Sequence, residues 1–366
     1  MTARRIYLDA NACTPVHDGV AVAMAAALVA GNPSSVHAEG RAARRRMEDA
    51  REAIAAALDA PADALVFTSG GTEANALALT RCGRGTVVVS ATEHRSVLDA
   101  VVGATVVPCD GDGVVRLDAL DRALAAEGRA AVVSVMAANN ETGVIQPIDE
   151  VVRVARARDA LVHVDAAQAC GRIPLSFRAS GADLMTVSAH KCGGPAGIGA
   201  LVVGPRVALT PRGGGGQERG RRPGTEAAAA IAGFGVAARH VAKGIADGAR
   251  LASLRDRLEA ALPEARVMGA GTARLPNTTC LVMPGVASAI QVMALDLAGF
   301  AVSAGAACSS GKVAASHVLA AMGVDRDDAG CAVRVSLSWT TTNADIDAFV
   351  DAWRDLRSRL GVRDAA

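Results

Sequence analysis

The segment Ser188-Ala189-His190-Lys191-Cys192-Gly193-Gly194-Pro195 carries a lysine from an apolar run into a Gly/Pro turn. An amine at the rim of a sheet, partly dry and beside a potential cation, has a lowered pKa and can form a Schiff base with an aldehyde. Read alone, Lys191 is equally a surface lysine closing a strand. Upstream, Val162-His163-Val164-Asp165-Ala166-Ala167-Gln168 ends a second apolar run in a carboxylate. A pyridoxal-phosphate enzyme needs such an acid to keep the pyridine nitrogen protonated, so that the ring draws electrons. Asp165 and Lys191, each at a strand end, could face one cofactor from opposite sides; without Lys191, Asp165 reads as a helix N-cap.

Phosphate needs convergent donors. Thr68-Ser69-Gly70-Gly71-Thr72-Glu73-Ala74-Asn75 supplies a glycine pair, Gly70-Gly71, and the Thr72 hydroxyl at the start of a helix. The pattern is neither the phosphate loop of nucleoside triphosphatases nor the dinucleotide fingerprint. His94 lies just beyond a strand and could stack on an aromatic cofactor or shuttle protons, or simply be a half-buried structural histidine. Asn140, in Asn139-Asn140-Glu141-Thr142-Gly143, could offer an amide to a ring hydroxyl or belong to a turn. Cys308 sits among small residues, Val302 to Lys312, as a candidate nucleophile, with Lys312 placed to assist thiolate formation. The other seven cysteines read as small buried hydrophobes. Arg334 is a charge within the apolar run Ala332 to Leu337 and calls for a carboxylate, either a substrate's or one of the chain's own.

Elements must hold these residues. Thr86 to Ser90, Ala131 to Met136, Leu161 to Asp165, Asp183 to Ser188 and Ala200 to Val203 read as strands apolar on both faces. Helices are expected at Glu73 to Thr80, Ser96 to Val101, Asp118 to Glu127 with Asp118 as N-cap, and Ile148 to Arg158. That alternation predicts an α/β fold with a mostly parallel sheet covered on both faces and ligands at the carboxyl ends of its strands. A Gly/Arg-rich loop, Pro211 to Thr225, precedes a long Ala-rich helical stretch to about Arg257. Beyond Val267, strands (Thr279 to Met283, Val333 to Ser336) mix with helices (Ala287 to Ala298, Ser316 to Met322, Ala344 to Arg357), as in a smaller α+β domain.

Composition narrows the class. The 366 residues hold 38 Lys+Arg against 37 Asp+Glu, a net charge of +1 that supplies no broad field for nucleic-acid backbones. Aromatic residues are 2%, too few for stacking platforms. Eight cysteines without a C-x-x-C pair argue against a disulfide scaffold and against a structural metal site. No secretory leader and no long uncharged apolar stretch is evident, so a cytoplasmic protein away from membranes is expected.

Taken in order, these segments resemble the cysteine desulfurases of iron-sulfur cluster assembly, class V aminotransferases of the fold-type I pyridoxal-phosphate group. The resemblance begins at Ile6-Tyr7-Leu8-Asp9-Ala10-Asn11-Ala12-Cys13-Thr14-Pro15 and Gly31-Asn32-Pro33-Ser34-Ser35 and runs to Arg334. It implies a seven-stranded, mostly parallel sheet in a large domain, 15–250, and a small domain formed by 1–14 and 251–366. It implies that Lys191 holds pyridoxal 5'-phosphate, that Asp165 pairs with the pyridine nitrogen, and that Gln168 bonds the ring oxygen. Gly71, Thr72, Ser188 and His190 would hold the phosphate, His94 would stack on the ring, and Asn140 and Arg334 would bind the substrate. Thr225 would reach the phosphate of a neighbouring subunit, implying a homodimer with composite sites.

The implied reaction takes L-cysteine to L-alanine, with Cys308 carrying the sulfur as a persulfide to an acceptor such as an iron-sulfur scaffold. The spacing from Cys308 to Ser316-His317-Val318-Leu319 matches the family's long loop type, while Ser338-Trp339 replaces its usual Gly-Arg-Phe. A selenocysteine lyase or another aminotransferase of the group is the neighbouring alternative. A remoter one is an RNA-binding protein that grips phosphates with Arg212, Arg219, Arg221 and Arg222.

Overall fold

The computed structural model describes residues 5–29, 31–127, 131–210, 213–304 and 316–360. In chain order the strands are β1 (Ile6–Tyr7), β2 (Leu65–Thr68), β3 (Thr86–Ser90), β4 (Thr105–Val107), β5 (Ala131–Ser134), β6 (Leu161–Asp165), β7 (Leu184–Ser188), β8 (Gly199–Val203), β9 (Arg266–Val267), β10 (Thr278–Val282), β11 (Phe300–Ala301), β12 (Ser303–Ala304) and β13 (Ala332–Ser336). Among the described residues they build a seven-stranded sheet, β2-β8-β7-β6-β5-β3-β4, a four-stranded sheet, β12-β13-β10-β9, and the pair β1-β11.

The large sheet is parallel from β7 through β4, and β8 runs antiparallel to both of its neighbours. Its strands are apolar on both faces because both faces are covered. Val88, Val133, Val162, Val164 and Val187 point into one core, while Val87, Val89, Val132, Leu161 and Leu184 point into another. The period of two along each strand assigns alternate residues to opposite layers. The helix Gly71–Arg81 packs on β6, β7 and β8, so its first turn lies over the carboxyl ends of β6 and β7. A separate core gathers around the antiparallel sheet, with Leu281, Val333, Val335, Phe349 and Trp353 at its centre.

Several local expectations are corrected. The stretch beginning at Ser96 is helical only over Arg95–Leu98, where His94 caps it. Asp118 is no N-cap: the helix already starts at Leu117, and Asp118 in its first turn pairs with Arg116 and Arg122. The Ala-rich stretch is three helices, Ala228–Arg239, Val241–Ala246 and Gly248–Ala261, broken at His240 and Asp247.

Candidate active site

Strand β6 ends in Asp165, and three residues beyond the end of neighbouring β7 comes Lys191, so acid and amine share the carboxyl edge of the sheet. This is where a doubly wound sheet opens toward ligands. Asp165 is 7% exposed. Its Oδ2 accepts from Asn75 Nδ2 at 2.7 Å and its Oδ1 from the Ala167 amide at 3.0 Å. Lys191 Nζ donates to the Asn11 and Ala12 carbonyls at 2.6 and 3.0 Å.

His94 lies near both. Burial holds its imidazole below the usual histidine range; Asp165 opposes that shift and the Lys191 ammonium adds to it. The Ser96 amide donates to His94 Nδ1 at 3.1 Å, and Ser96 Oγ lies 2.8 Å from the same nitrogen. A flat, neutral ring results, as stacking on a pyridine requires. Glu93, wholly buried, is pushed far up by desolvation and by Asp165.

A phosphate fits the other end. Helix Gly71–Arg81 begins at Gly71, where a Cβ would stand 3.6 Å from Ser188 Cβ, so the missing side chain leaves a cradle facing β7. Ser188 Oγ lies 3.0 Å from His190 Nδ1. His190 is pushed down to about 4 by burial and by Lys191, so it meets an anion as a neutral hydrogen-bonding ring. Thr72, exposed in the same first turn, adds a hydroxyl. Helix amides and hydroxyls converging at a helix start are the donor set a phosphate requires.

Gln168, Asn140 and Arg334 are tied to the N-terminal segment. Gln168 Nε2 donates to the Asn11 carbonyl at 3.1 Å, and its Oε1 accepts from Arg172. The Asn140 carbonyl accepts from Asn11 Nδ2 and Arg334 Nη1 at 3.1 and 3.0 Å, and the residue remains partly exposed. Arg334 Nη2 pairs with Asp9 Oδ1 at 2.8 Å, while its buried Nε has no partner among the described residues.

Thr225 is exposed in the Gly/Arg loop. Cys308 and Lys312 lie outside the described residues, as does Arg212. Cys13 is exposed, against the expectation of burial, where the N-terminal segment runs on from buried Leu8, Ala10 and Asn11; the other described cysteines are buried and free. Of the loop arginines, Arg219 and Arg221 donate to the Asp63 carbonyl at the surface, and Arg222, partly buried, pairs with Glu73 at 3.0 Å.

Sequence reading alone assigns no role to Asn11, Asn75 or Arg172, although the first two stand inside its motifs. Lys191 also lines a cavity of about 430 Å³ with His17, Cys170, Arg172, Cys192 and Trp339. Neither Asp165 nor His94 borders that space, which meets the cluster above through Lys191 and Arg172.

The chain belongs to the class-V aminotransferases, whose family model matches residues 6–349, and it is a pyridoxal-phosphate-dependent enzyme of the α/β fold that family shares. Within the family it is similar to a cysteine desulfurase of Cereibacter sphaeroides, 42% identical over 95% of this chain and 94% of the relative. Among solved structures it resembles a NifS-like protein from Rickettsia africae, with a TM-score of 0.91 and 36% identity over 97% of this chain and all (100%) of that one. It also resembles SspA in complex with cysteine, at a TM-score of 0.77 and 28% identity over 91% of this chain and 98% of the other.

Proposed function

We propose that this protein is a cysteine desulfurase that converts L-cysteine to L-alanine and passes the sulfur through a Cys308 persulfide to an acceptor protein. The observation that carries the reading is the placement of Lys191 and Asp165 at the carboxyl ends of adjacent strands, with the helix start at Gly71 packed beside Ser188. Bound pyridoxal phosphate supplies an aldehyde for the amine and a ring that draws electrons from the substrate.

The chain's own residues do the rest. Asp165 faces the ring nitrogen, and neutral His94 covers the ring. Thr72, Gly71, Ser188 and His190 hold the phosphate, while Gln168 reaches the ring oxygen. Arg334, with its unpaired Nε, takes the substrate carboxylate beside Asn140. Lys191 Nζ moves the Cα proton. The Cys308 thiolate forms a bond to the substrate sulfur as the carbon–sulfur bond breaks; alanine leaves and the sulfur stays on the enzyme.

In this reading the large domain spans 15–250, and 1–14 with 251–366 forms the small one. Thr225 reaches the phosphate of a second copy, giving a homodimer with shared sites; its exposure on a loop anchored through Arg222 supports that. The acceptor is an iron-sulfur scaffold or a comparable sulfur-accepting protein. No described helix is long and apolar enough to cross a membrane. The free described cysteines suit the reducing cytoplasm.

Purified protein given L-cysteine and a thiol reductant is expected to release alanine and sulfide in equal amounts, and Cys308→Ala to stop both. Borohydride reduction of the cofactor-saturated protein should tag Lys191. Undiminished alanine formation by Cys308→Ala would remove the nucleophile assignment. Activity on selenocysteine alone, or a requirement for a keto acid, would move the protein to a neighbouring activity of the family.

A further inference from the structure

We infer that Asn75 is a positioning residue that fixes the Asp165 carboxylate against the cofactor ring nitrogen and orders the hydroxyl beneath His94. The inference rests on the reading above, in which Asp165 and His94 face the ring. Asn75 stands one helical turn after Gly71, so a single helix face carries both the phosphate cradle and this amide. Its side chain is 1% exposed. Nδ2 donates one proton to Asp165 Oδ2 at 2.7 Å and the other to Ser96 Oγ at 2.9 Å. The amide orientation is determined by its neighbour, because turning it over would set Oδ1 against the carboxylate oxygen.

Donation then runs in one direction. Ser96 Oγ accepts from Asn75, which leaves the hydroxyl proton to point at His94 Nδ1, 2.8 Å away. The backbone amide of Ser96 donates to that same nitrogen, so the ring proton resides on Nε2. Asn75 Oδ1, in contrast, is buried with no partner among the described residues. A structural asparagine is ordinarily satisfied at both ends of its amide. An amide kept in place with an orphaned acceptor and two committed donors is retained for what it donates to, and its recipients are the two groups assigned to the ring. Asp165 consequently has both carboxylate oxygens occupied by fixed N–H donors, from Asn75 and Ala167, and cannot swing away from the edge of β6.

The test uses pyridoxal phosphate labelled with ¹⁵N in its ring, bound to the full-length protein. The wild-type ring nitrogen should give the signal of a protonated pyridine. Asn75→Leu, which keeps the size of the amide and removes its donors, should shift that signal toward the unprotonated form and weaken cofactor binding about tenfold, as loss of a charge-assisted hydrogen bond predicts. Ser96→Ala, which interrupts only the branch to His94, should leave the ring signal at its wild-type position. Asn75→Ala reports the same signal should leucine not be accommodated.

A ring signal and cofactor affinity unchanged in both Asn75 variants would overturn the inference. An equal shift in Ser96→Ala would overturn it too, by showing that general loosening of the site is enough. Asp165→Ala separates the two levels. If it leaves the wild-type signal in place, the reading of Asp165 itself fails; if it abolishes a signal that Asn75→Leu preserves, only the role of Asn75 does.

Discussion

Arg334 and Asp9 form an ion pair of 2.8 Å between β13 and the segment following β1, with side chains 7% and 17% exposed. Asp9 Oδ2 also accepts from Ser303 Oγ at 2.9 Å, so the carboxylate is held from two sides and in turn holds the guanidinium. In the proposed function Arg334 takes a substrate carboxylate and must be oriented before the substrate arrives; Asp9 does this, while the buried Nε has no partner among the described residues. Asp9→Asn is expected to raise KM for cysteine about tenfold with kcat within about threefold, a loss of binding more than of chemistry. Steady-state kinetics over a range of cysteine concentrations decide the split; a fall in kcat alone would remove Asp9 from substrate binding.

Arg51 and Glu218 anchor the Gly/Arg loop. Their side chains are 5% and 1% exposed, the pairing is bidentate at 2.9 and 2.7 Å, and Glu218 also accepts from the Phe67 amide at 2.8 Å. Glu218 and Arg219 take left-handed backbone, with φ of 46° and 58°, a conformation that non-glycine residues adopt only under constraint. Glu218→Ala leaves the buried guanidinium with the half-exposed Glu48 as its remaining charge partner and should cost about 3 kcal/mol. Combined with Arg51→Met it should cost less than the sum of the two single changes, since neither then strands a charge. Urea unfolding of the three variants measures that coupling, and strict additivity would contradict it.

What the sequence made legible follows from burial. β3, β6 and β7 could be read because both faces are covered, and an unbroken apolar run ending in Asp165 or Ser188 marks a strand edge where ligands bind. β4, three residues long, leaves no such mark, and β8, legible as a buried apolar run, does not reveal that it runs antiparallel, since direction is a property of tertiary pairing. The helix Ala38–Ala57 is faint because its inward stripe is mostly small: Gly40, Ala43, Met47, Ala50 and Ile54. Within the site, residues with distinctive chemistry, Lys191, Asp165 and His94, were visible as types. Asn11 and Asn75 act through a carbonyl and an amide, which any asparagine has, and only the contacts distinguish them.

His163 is a buried base beneath the site. It sits two residues before Asp165 on β6, between Ser134 Oγ at 2.8 Å and Thr186 Oγ1 at 3.0 Å, and full burial pushes it down to about 4. The unfolded chain therefore binds more protons than the native one between about pH 4 and the ordinary value of 6.5. The contribution to stability is fully present above 6.5 and is lost as pH falls through about 4, amounting to about 3 kcal/mol. His163→Gln, which can still bond both hydroxyls, should flatten that acid limb in urea titrations. A limb of unchanged slope would place the acid sensitivity elsewhere.

Glu141 has the opposite sign. Burial pushes its carboxyl up to about 7 from 4.5, partly offset by the Ser316 hydroxyl, 2.5 Å from Oε2, and by Arg334 and Arg95. Between 4.5 and about 7 the native chain binds the extra proton, so stability falls as pH rises through that window, by about 3 kcal/mol in all, and is level above it. Glu141→Gln mimics the protonated acid: its amide can still meet the Ser316 oxygen, and it carries no charge at any pH. The variant should match the wild type near pH 4.5 and become the more stable of the two by pH 8, with the difference opening across the window set by the raised carboxyl. Unfolding free energies measured in parallel across that range give the difference directly. A constant gap between the two proteins would mean that Glu141 ionises in the native state as readily as in the unfolded chain.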